Sequence, residues 1–158
     1  MNIDKDYAEL LQLLNKHDVH YCIIGAYAVA FYAKPRFTKD IDIMVEPDAA
    51  NASKLVRALE EFGFTKTGLT PADFDKEDKI VQLGYEPVRV DIVTSIDGCS
   101  FEKVWKNKKA GLYGNEKVFY IGINELIENK KTVSRIQDKM DVEALLAISA
   151  KKIKHKLH

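Results

Sequence analysis

The sequence predicts an α+β fold in which a small mixed sheet is flanked by helices and two C-terminal helices pack on it. Segments with the three-to-four residue apolar spacing of helices are interspersed with short apolar or alternating segments typical of strands. No repeat, proline-rich linker or low-complexity segment divides them. We therefore expect a single domain over residues 1–158, with a core to about residue 121 and C-terminal helices over about 122–158.

The N-terminal part predicts a helix, a strand and a second helix in succession. Residues 4–17 carry apolar side chains on one helical face. The continuous apolar run over 19–24 predicts a strand that is covered on both faces. Gly25 then opens a second helix to about residue 33, and Pro35 ends it.

The remaining elements follow from the same two periodicities. We predict a strand over 40–45, a helix over about 48–62, a hairpin over 79–96, a helix over 101–109, a strand over 117–121, and helices over 123–130 and about 135–152. The last helix is expected to bury Ile136, Met140, Leu145, Leu146 and Ile148.

The charge balance argues against a protein that binds nucleic acid or membranes through its overall charge. Lysine and arginine number 24, as do aspartate and glutamate, so any basic surface must be local. Cys22 and Cys99 are the only cysteines, so no disulfide framework and no cysteine-based zinc site is predicted. Neither a signal peptide nor a membrane-length apolar run is visible, and we expect a cytoplasmic protein.

An Asp-x-Asp motif at the start of a predicted strand is the main candidate for chemistry. Asp40 and Asp42 lie two residues apart, so a strand places both side chains on one face, with Cα atoms about 6.6 Å apart. Two neighbouring carboxylates repel each other, and a divalent cation between them relieves the repulsion. Taken alone, such a motif is more often the solvated face of an amphipathic strand.

Two further positions could belong with this motif. Asp91 interrupts the apolar run of a predicted strand, where a lone buried charge would be costly, so it lies on an exposed face or has a cation partner. Gly25 stands at a strand-to-helix turn, where backbone N–H groups can approach an anion. A plain tight turn explains Gly25 equally well.

The stretch over residues 21–45 resembles the nucleotidyltransferase signature of the polymerase-beta-like superfamily. That signature is an apolar strand, a Gly followed by Gly or Ser, a connecting segment, and then Asp-apolar-Asp/Glu. Here thirteen residues separate Ala26 from Asp40, within the usual range of the family. Ala26 has no hydroxyl, so the phosphate contacts that the resemblance implies at this turn depend on backbone donors.

The C-terminal part resembles the AbiEii-type nucleotidyltransferases. Lys130, Arg135, Asp138 and the segment 141–145 match a pattern of Lys, Arg and two Asp ahead of an apolar helix. The resemblance implies that Lys130 helps to form the nucleotide site and that Arg135 with Asp138 supports it. Without the resemblance, Arg135, Asp138 and Asp141 would be a local ladder of charges along one helix.

The resemblance implies a metal-dependent enzyme that moves a nucleoside monophosphate from a nucleoside triphosphate to a hydroxyl group. Asp40, Asp42 and Asp91 are the implied catalytic residues and the ligands of Mg²⁺ or Mn²⁺, with Asp91 near the attacking hydroxyl. The implied nucleotide-binding residues are Gly25, Ala26, Arg36, Thr38 and Lys130.

The acceptor and the biological role stay open at this point. Resemblance to the AbiEii-type group implies a toxin of a toxin–antitoxin pair, with an RNA or protein acceptor and a cognate antitoxin as partner. Short antibiotic nucleotidyltransferases modify small hydroxylated molecules instead. Two further alternatives are a catalytically silent nucleotide- or partner-binding module and a metal-dependent phosphohydrolase, although a hydrolase needs no phosphate-binding turn ahead of its carboxylates.

Overall fold

The computed structural model of the chain describes residues 3–33, 40–65, 67–85, 88–132 and 136–157, and it confirms the predicted mixed α+β architecture. The strands are β1 (Tyr21–Ile24), β2 (Asp40–Val45), β3 (Ile80–Tyr85), β4 (Val88–Val93), β5 (Lys109–Tyr113) and β6 (Glu116–Tyr120). The helices are α1 (Lys5–Lys16), α2 (Gly25–Tyr32), α3 (Ala49–Phe62), α4 (Phe101–Lys106), α5 (Ile123–Lys131) and α6 (Ile136–Leu157).

The described strands form one six-stranded mixed sheet in the order β3-β4-β2-β1-β6-β5. β2 runs antiparallel to β1 and parallel to β4, so the beginnings of β2 and β4 lie beside the end of β1. In this register Asp42 is paired with Ile24 on one side and with Asp91 on the other. The sheet therefore brings the predicted phosphate-binding turn and the predicted carboxylates to one end.

Two groups of helices flank the sheet. α1 packs with α3, whereas α2 packs with α5 and α6. All four residues of β1 are buried, as expected for a strand that is covered on both faces. Within the described ranges, no helix combines the length with the apolar composition that a membrane span requires.

The region after α4 differs from its prediction. The helix was expected to continue to residue 109, but it ends at Lys106, and Asn107 forms its C-cap. Lys109 instead begins β5, which pairs antiparallel with β6 at the edge of the sheet. The sequence of β5 has a glycine at its centre and an exposed lysine, so its strand conformation depends on pairing with β6 rather than on local preference.

The predicted buried face of α6 was largely wrong. Ile136 is 79% exposed and Met140 is 58% exposed, and Leu146 also faces outward. The buried positions are instead Asp138, Asp141 and Leu145. Two acidic residues face inward because they have a buried cationic partner on α5, which a pattern of apolar residues does not reveal.

Candidate active site

Three acidic side chains share one face of the sheet where β2 and β4 begin, and we call Asp40, Asp42 and Asp91 the carboxylate cluster. Asp42 pairs in register with Asp91, while Asp40 pairs with Arg89, two residues before Asp91. Residues two apart on a strand share a face, so all three carboxylates face the same side of the sheet. On the opposite face, Ile41 and Ile43 are completely buried. The predicted proximity of Asp40, Asp42 and Asp91 is therefore present in the structure.

The carboxylate cluster is electrostatically strained. Burial, together with the neighbouring charges of Asp91 and Asp40 and a hydrogen bond with Asp91, raises the pKa of Asp42 to about 7. Burial also raises the pKa of Asp91, and the charge of Asp40 adds to this effect. One oxygen of Asp91, Oδ1, is buried without a hydrogen-bond partner among the described residues. Carboxyl groups that face one another and have raised pKa values are typical of functional sites.

Arg89 is a member of this site that sequence reasoning missed. Its Nε lies 3.8 Å from Oδ1 of Asp40, and both side chains are about one-third exposed. Its charge also opposes the rise in the pKa of Asp91. The backbone of Arg89 is held by Tyr7 of α1, whose hydroxyl donates to the Arg89 carbonyl at 2.8 Å and accepts from its N–H at 3.2 Å. The signal in the sequence was the i, i+2 spacing of Arg89 and Asp91 on one strand.

The turn between β1 and α2 requires glycine for two reasons. Gly25 has φ +66°, the left-handed conformation that disfavours other residues. A Cβ atom at Gly25 would also collide with the carboxylate of Asp42. The close approach that Gly25 permits therefore involves Asp42, which neither of the two sequence interpretations of this glycine had considered.

The beginning of α2 presents backbone donors next to the carboxylate cluster. Ile24 is the N-cap of α2, and no side chain caps the helix. The first N–H groups of a helix lack internal partners and favour negative charge, so this helix start suits a phosphate. Ala26 lies in the first turn and has no polar side chain, so a phosphate contact at this position would come from its backbone.

A second charged cluster lies close to the first, and we call Lys130, Asp138 and Asp141 the Lys130 triad. The Lys130 ammonium lies 3.0 Å from Oδ1 of Asp138 and 3.1 Å from Oδ2 of Asp141. All three residues are at most 7% exposed. The charge of Lys130 reaches the carboxylate cluster, because it lowers the pKa of Asp42 against the other influences.

The chemistry of the carboxylate cluster fits a hard divalent cation. Its donors are all carboxylate oxygens, the ligands that Mg²⁺ and Mn²⁺ prefer. A cation would relieve the repulsion that raises the pKa of Asp42 and would give the buried Oδ1 of Asp91 a partner. No three His, Cys, Asp or Glu side chains of the described part of the chain already converge as a ligand set. The adjacent pair of Asp42 and Asp91 is therefore the basis for assigning a metal.

The predicted site residues divide into two sets. Gly25, Ala26, Asp40, Asp42 and Asp91 lie at one end of the sheet, and Lys130, which contacts Asp138, acts electrostatically on Asp42. Arg36, Thr38 and Arg135 lie outside the described residues, so their predicted roles stay predictions. Asp138 contacts Lys130, a pairing that was not predicted.

Several solved structures have folds similar to that of this chain. The lincosamide antibiotic adenylyltransferase LnuA with lincomycin bound matches at a TM-score of 0.55 and 17% identity, over 94% of this chain and 99% of that chain. A nucleotidyltransferase from Thermotoga maritima matches at 0.60 and 17%, over 92% and 96%. The antibiotic-resistance factor ANT(2'')-Ia matches at 0.56 and 11%, over 97% and 96%. At these identities the likeness shows the nucleotidyltransferase fold.

The sequence itself identifies the family. No curated protein sequence matches the chain significantly. The family model described as Aminoglycoside-2''-adenylyltransferase, however, matches residues 7–123. This stretch contains Gly25 and the whole carboxylate cluster but ends before the Lys130 triad. Because the match spans most of the chain, the protein belongs to the aminoglycoside-2''-adenylyltransferase family and is a nucleotidyltransferase.

Proposed function

We propose that this protein transfers a nucleoside monophosphate, most simply AMP, from a nucleoside triphosphate to a hydroxyl group of a small hydroxylated molecule. The observation that carries the proposal is the pairing of Asp42 with Asp91 beside the uncapped start of α2. Carboxylates and phosphate-binding donors at one point are the combination that nucleotidyl transfer requires. A hydrolase with the same carboxylates would have no need of the second component.

The triphosphate is proposed to bind at the start of α2, where the backbone N–H groups of the first turn face the β- and γ-phosphates. Mg²⁺ or Mn²⁺ held by Asp40, Asp42 and Asp91 would supply Lewis acidity and neutralise charge on the phosphates. Arg89 offsets part of the negative charge of Asp40, which limits the repulsion of the incoming nucleotide.

The bond changes balance without a further reactant. The acceptor oxygen attacks the α-phosphorus, the bond from that phosphorus to the bridging oxygen breaks, and pyrophosphate leaves with the bonding electron pair. Asp91 accepts the proton of the acceptor hydroxyl. A carboxylate has two oxygen atoms, so Asp91 can contribute its buried Oδ1 to the cation and accept the proton on the other oxygen.

A small acceptor is proposed because of the family and the fold. The family name and one of the similar structures concern adenylylation of antibiotics, and another similar structure is an antibiotic-resistance factor. The AbiEii-type subtype, and with it an RNA or protein acceptor and a cognate antitoxin, stays a prediction from the resemblance. The identity of the acceptor decides between these roles, because the transfer chemistry is the same in both.

The test is transfer of labelled α-phosphate from each of the four ribonucleoside triphosphates. The protein is incubated with Mg²⁺ or Mn²⁺ and, in separate reactions, with aminoglycosides, lincosamides, total RNA or cell protein. We expect label on an antibiotic, and a loss of at least about a thousandfold in rate in the Asp42→Asn variant. Asp97→Asn, which removes an exposed carboxylate outside the carboxylate cluster, is the matched control and should transfer normally.

The other outcomes are equally specific. Label on RNA or protein would replace the small acceptor with the toxin role. Release of labelled nucleotide without an acceptor would support a hydrolase. Nucleotide binding with no transfer to any acceptor would support a silent binding module, and transfer by the Asp42→Asn variant at the normal rate would overturn the assignment of the carboxylate cluster.

A further inference from the structure

The Lys130 triad is built around a buried cation with two anions. Asp138 and Asp141 lie one helical turn apart on α6 and contact the same ammonium group of Lys130. Gln137 adds a hydrogen bond from its amide Nε2 to Oδ1 of Asp141 at 3.0 Å. Burial of an ion pair is costly unless the geometry is favourable and the groups are hydrogen-bonded, so this arrangement is specific.

Apolar contacts contribute little to the packing of α6 on the rest of the protein. Leu145 is the only fully buried apolar side chain of α6 among its described residues, whereas Ile136 and Met140 are exposed. The two aspartates thus occupy the positions where an ordinary packing helix would place leucine or isoleucine. The interaction of both aspartates with the Lys130 ammonium explains why they face inward.

Lys130 has an alternative set of partners. α5 and α6 both pack on α2, whose first residue, Gly25, abuts the carboxylate of Asp42, so the Lys130 triad lies near the carboxylate cluster. In keeping with this position, the charge of Lys130 lowers the pKa of Asp42. Asp42 and Asp91 are carboxyl groups in a partly buried site, and a nearby ammonium that was not held elsewhere would pair with them. Such pairing would occupy the oxygen atoms that a divalent cation requires.

We propose that Asp138 and Asp141 are positioning residues that hold Lys130 away from Asp42 and thereby keep the carboxylate cluster available for a divalent cation. Two carboxylates on α6 outcompete Asp42 for the ammonium. The inference rests on the proposed function, and it concerns residues beyond the stretch that the family model matches.

The test uses Asp141→Asn, which removes one charge and preserves the shape of the side chain. The asparagine can still accept the hydrogen bond from Gln137. We expect Mn²⁺ binding to the nucleotide-free protein, measured by calorimetry, to weaken about tenfold. Nucleotide binding without metal should be unchanged or tighter, because Lys130 is less neutralised. Glu143→Gln also removes one negative charge from α6, but at an exposed position, and it should leave both affinities unchanged.

Rescue separates this role from a structural one. Adding Lys130→Gln to the Asp141→Asn variant removes the cation that competes for Asp42, so Mn²⁺ affinity should return to within about twofold of the wild type. A loss that persists in the double variant would overturn the inference, as would normal Mn²⁺ binding by Asp141→Asn alone.

Failure to fold is also informative. If thermal unfolding shows that Asp141→Asn is not folded, Asp138→Asn is measured with the same expectations, and two unfolded variants would mean that the triad is structural. The proposed function is judged separately by label transfer. Wild-type transfer together with unchanged Mn²⁺ binding in Asp141→Asn rejects only the positioning role, whereas a wild-type protein that neither binds Mn²⁺ nor transfers label rejects both.

Discussion

At the start of β2 the two faces of the strand carry side chains of opposite character. On one face Ile41, Ile43 and Val45 are completely buried. On the other face, Asp40 lies beside Arg89 and Asp42 lies beside Asp91. One strand of six residues thus provides part of the hydrophobic core and most of the carboxylate cluster.

The difference shows where this fold gains stability and where it loses it. Burial of the isoleucine face is favourable, at roughly 25 cal/mol for each Å² of apolar surface removed from water. The carboxylate face is unfavourable without a cation, since burial and mutual repulsion raise the pKa of Asp42 to about 7. The core on one face compensates for a strained functional cluster on the other.

Truncation on the apolar face should have the largest effect on stability. Ile43 pairs in register with Ile23 and Ile92, and all three are at most 1% exposed. We expect Ile43→Ala to lower the free energy of unfolding by about 3 kcal/mol through lost burial and a residual cavity, as measured by denaturant titration. Ile80→Ala, on an edge strand and 71% exposed, is the control and should change it by less than about 0.5 kcal/mol. Equal effects would contradict the comparison.

A substitution at Gly25, where the start of α2 abuts β2, should have an intermediate effect on stability. Gly25→Ala imposes a left-handed conformation on alanine and brings its Cβ against the carboxylate of Asp42. Gly68→Ala imposes a similar φ, +73° compared with +66°, but meets no atom within 4 Å. We expect the free energy of unfolding, measured by thermal unfolding, to fall by about 1 kcal/mol in Gly68→Ala and by about 2–3 kcal/mol in Gly25→Ala. Transfer activity should fall only in Gly25→Ala; equal losses in stability would exclude a contribution from the contact with Asp42.

The smallest effect concerns the pH dependence of the metal-free protein. The pKa of Asp42 rises from 3.8 to about 7 on folding, so between these values the folded state binds a proton that the unfolded chain releases. Stability should therefore decrease as pH rises through this interval, by about 1.3 kcal/mol over the pH unit from 5 to 6. Melting temperatures of wild type and Asp42→Asn across that range measure the contribution. Parallel curves for the two proteins would show that Asp42 does not titrate in this way.

Local patterns predicted most of the elements correctly. The i, i+3, i+4, i+7 spacing of Tyr7, Leu10, Leu11 and Leu14 predicted the buried face of α1. The helix predicted over about 48–62 is α3, with Asp48 as its N-cap and Gly63 as its C-cap. The two failures share one cause, which is dependence on a distant partner. β5 is a strand because β6 pairs with it, and α6 turns its aspartates inward because Lys130 lies on α5.

The sequence by itself determined the α+β class and the alternation that places Asp40 and Asp42 on one face of β2 and its isoleucines on the other. These features depend on spacing along a single strand or helix, which the chain carries locally. Only the tertiary structure decided that Asp42 lies beside Asp91 and against Gly25, that Arg89 joins Asp40, and that Lys130 is bound by two aspartates of α6. Strand register and helix packing set those distances, and Coulomb interactions and desolvation depend on distance and burial rather than on order in the chain.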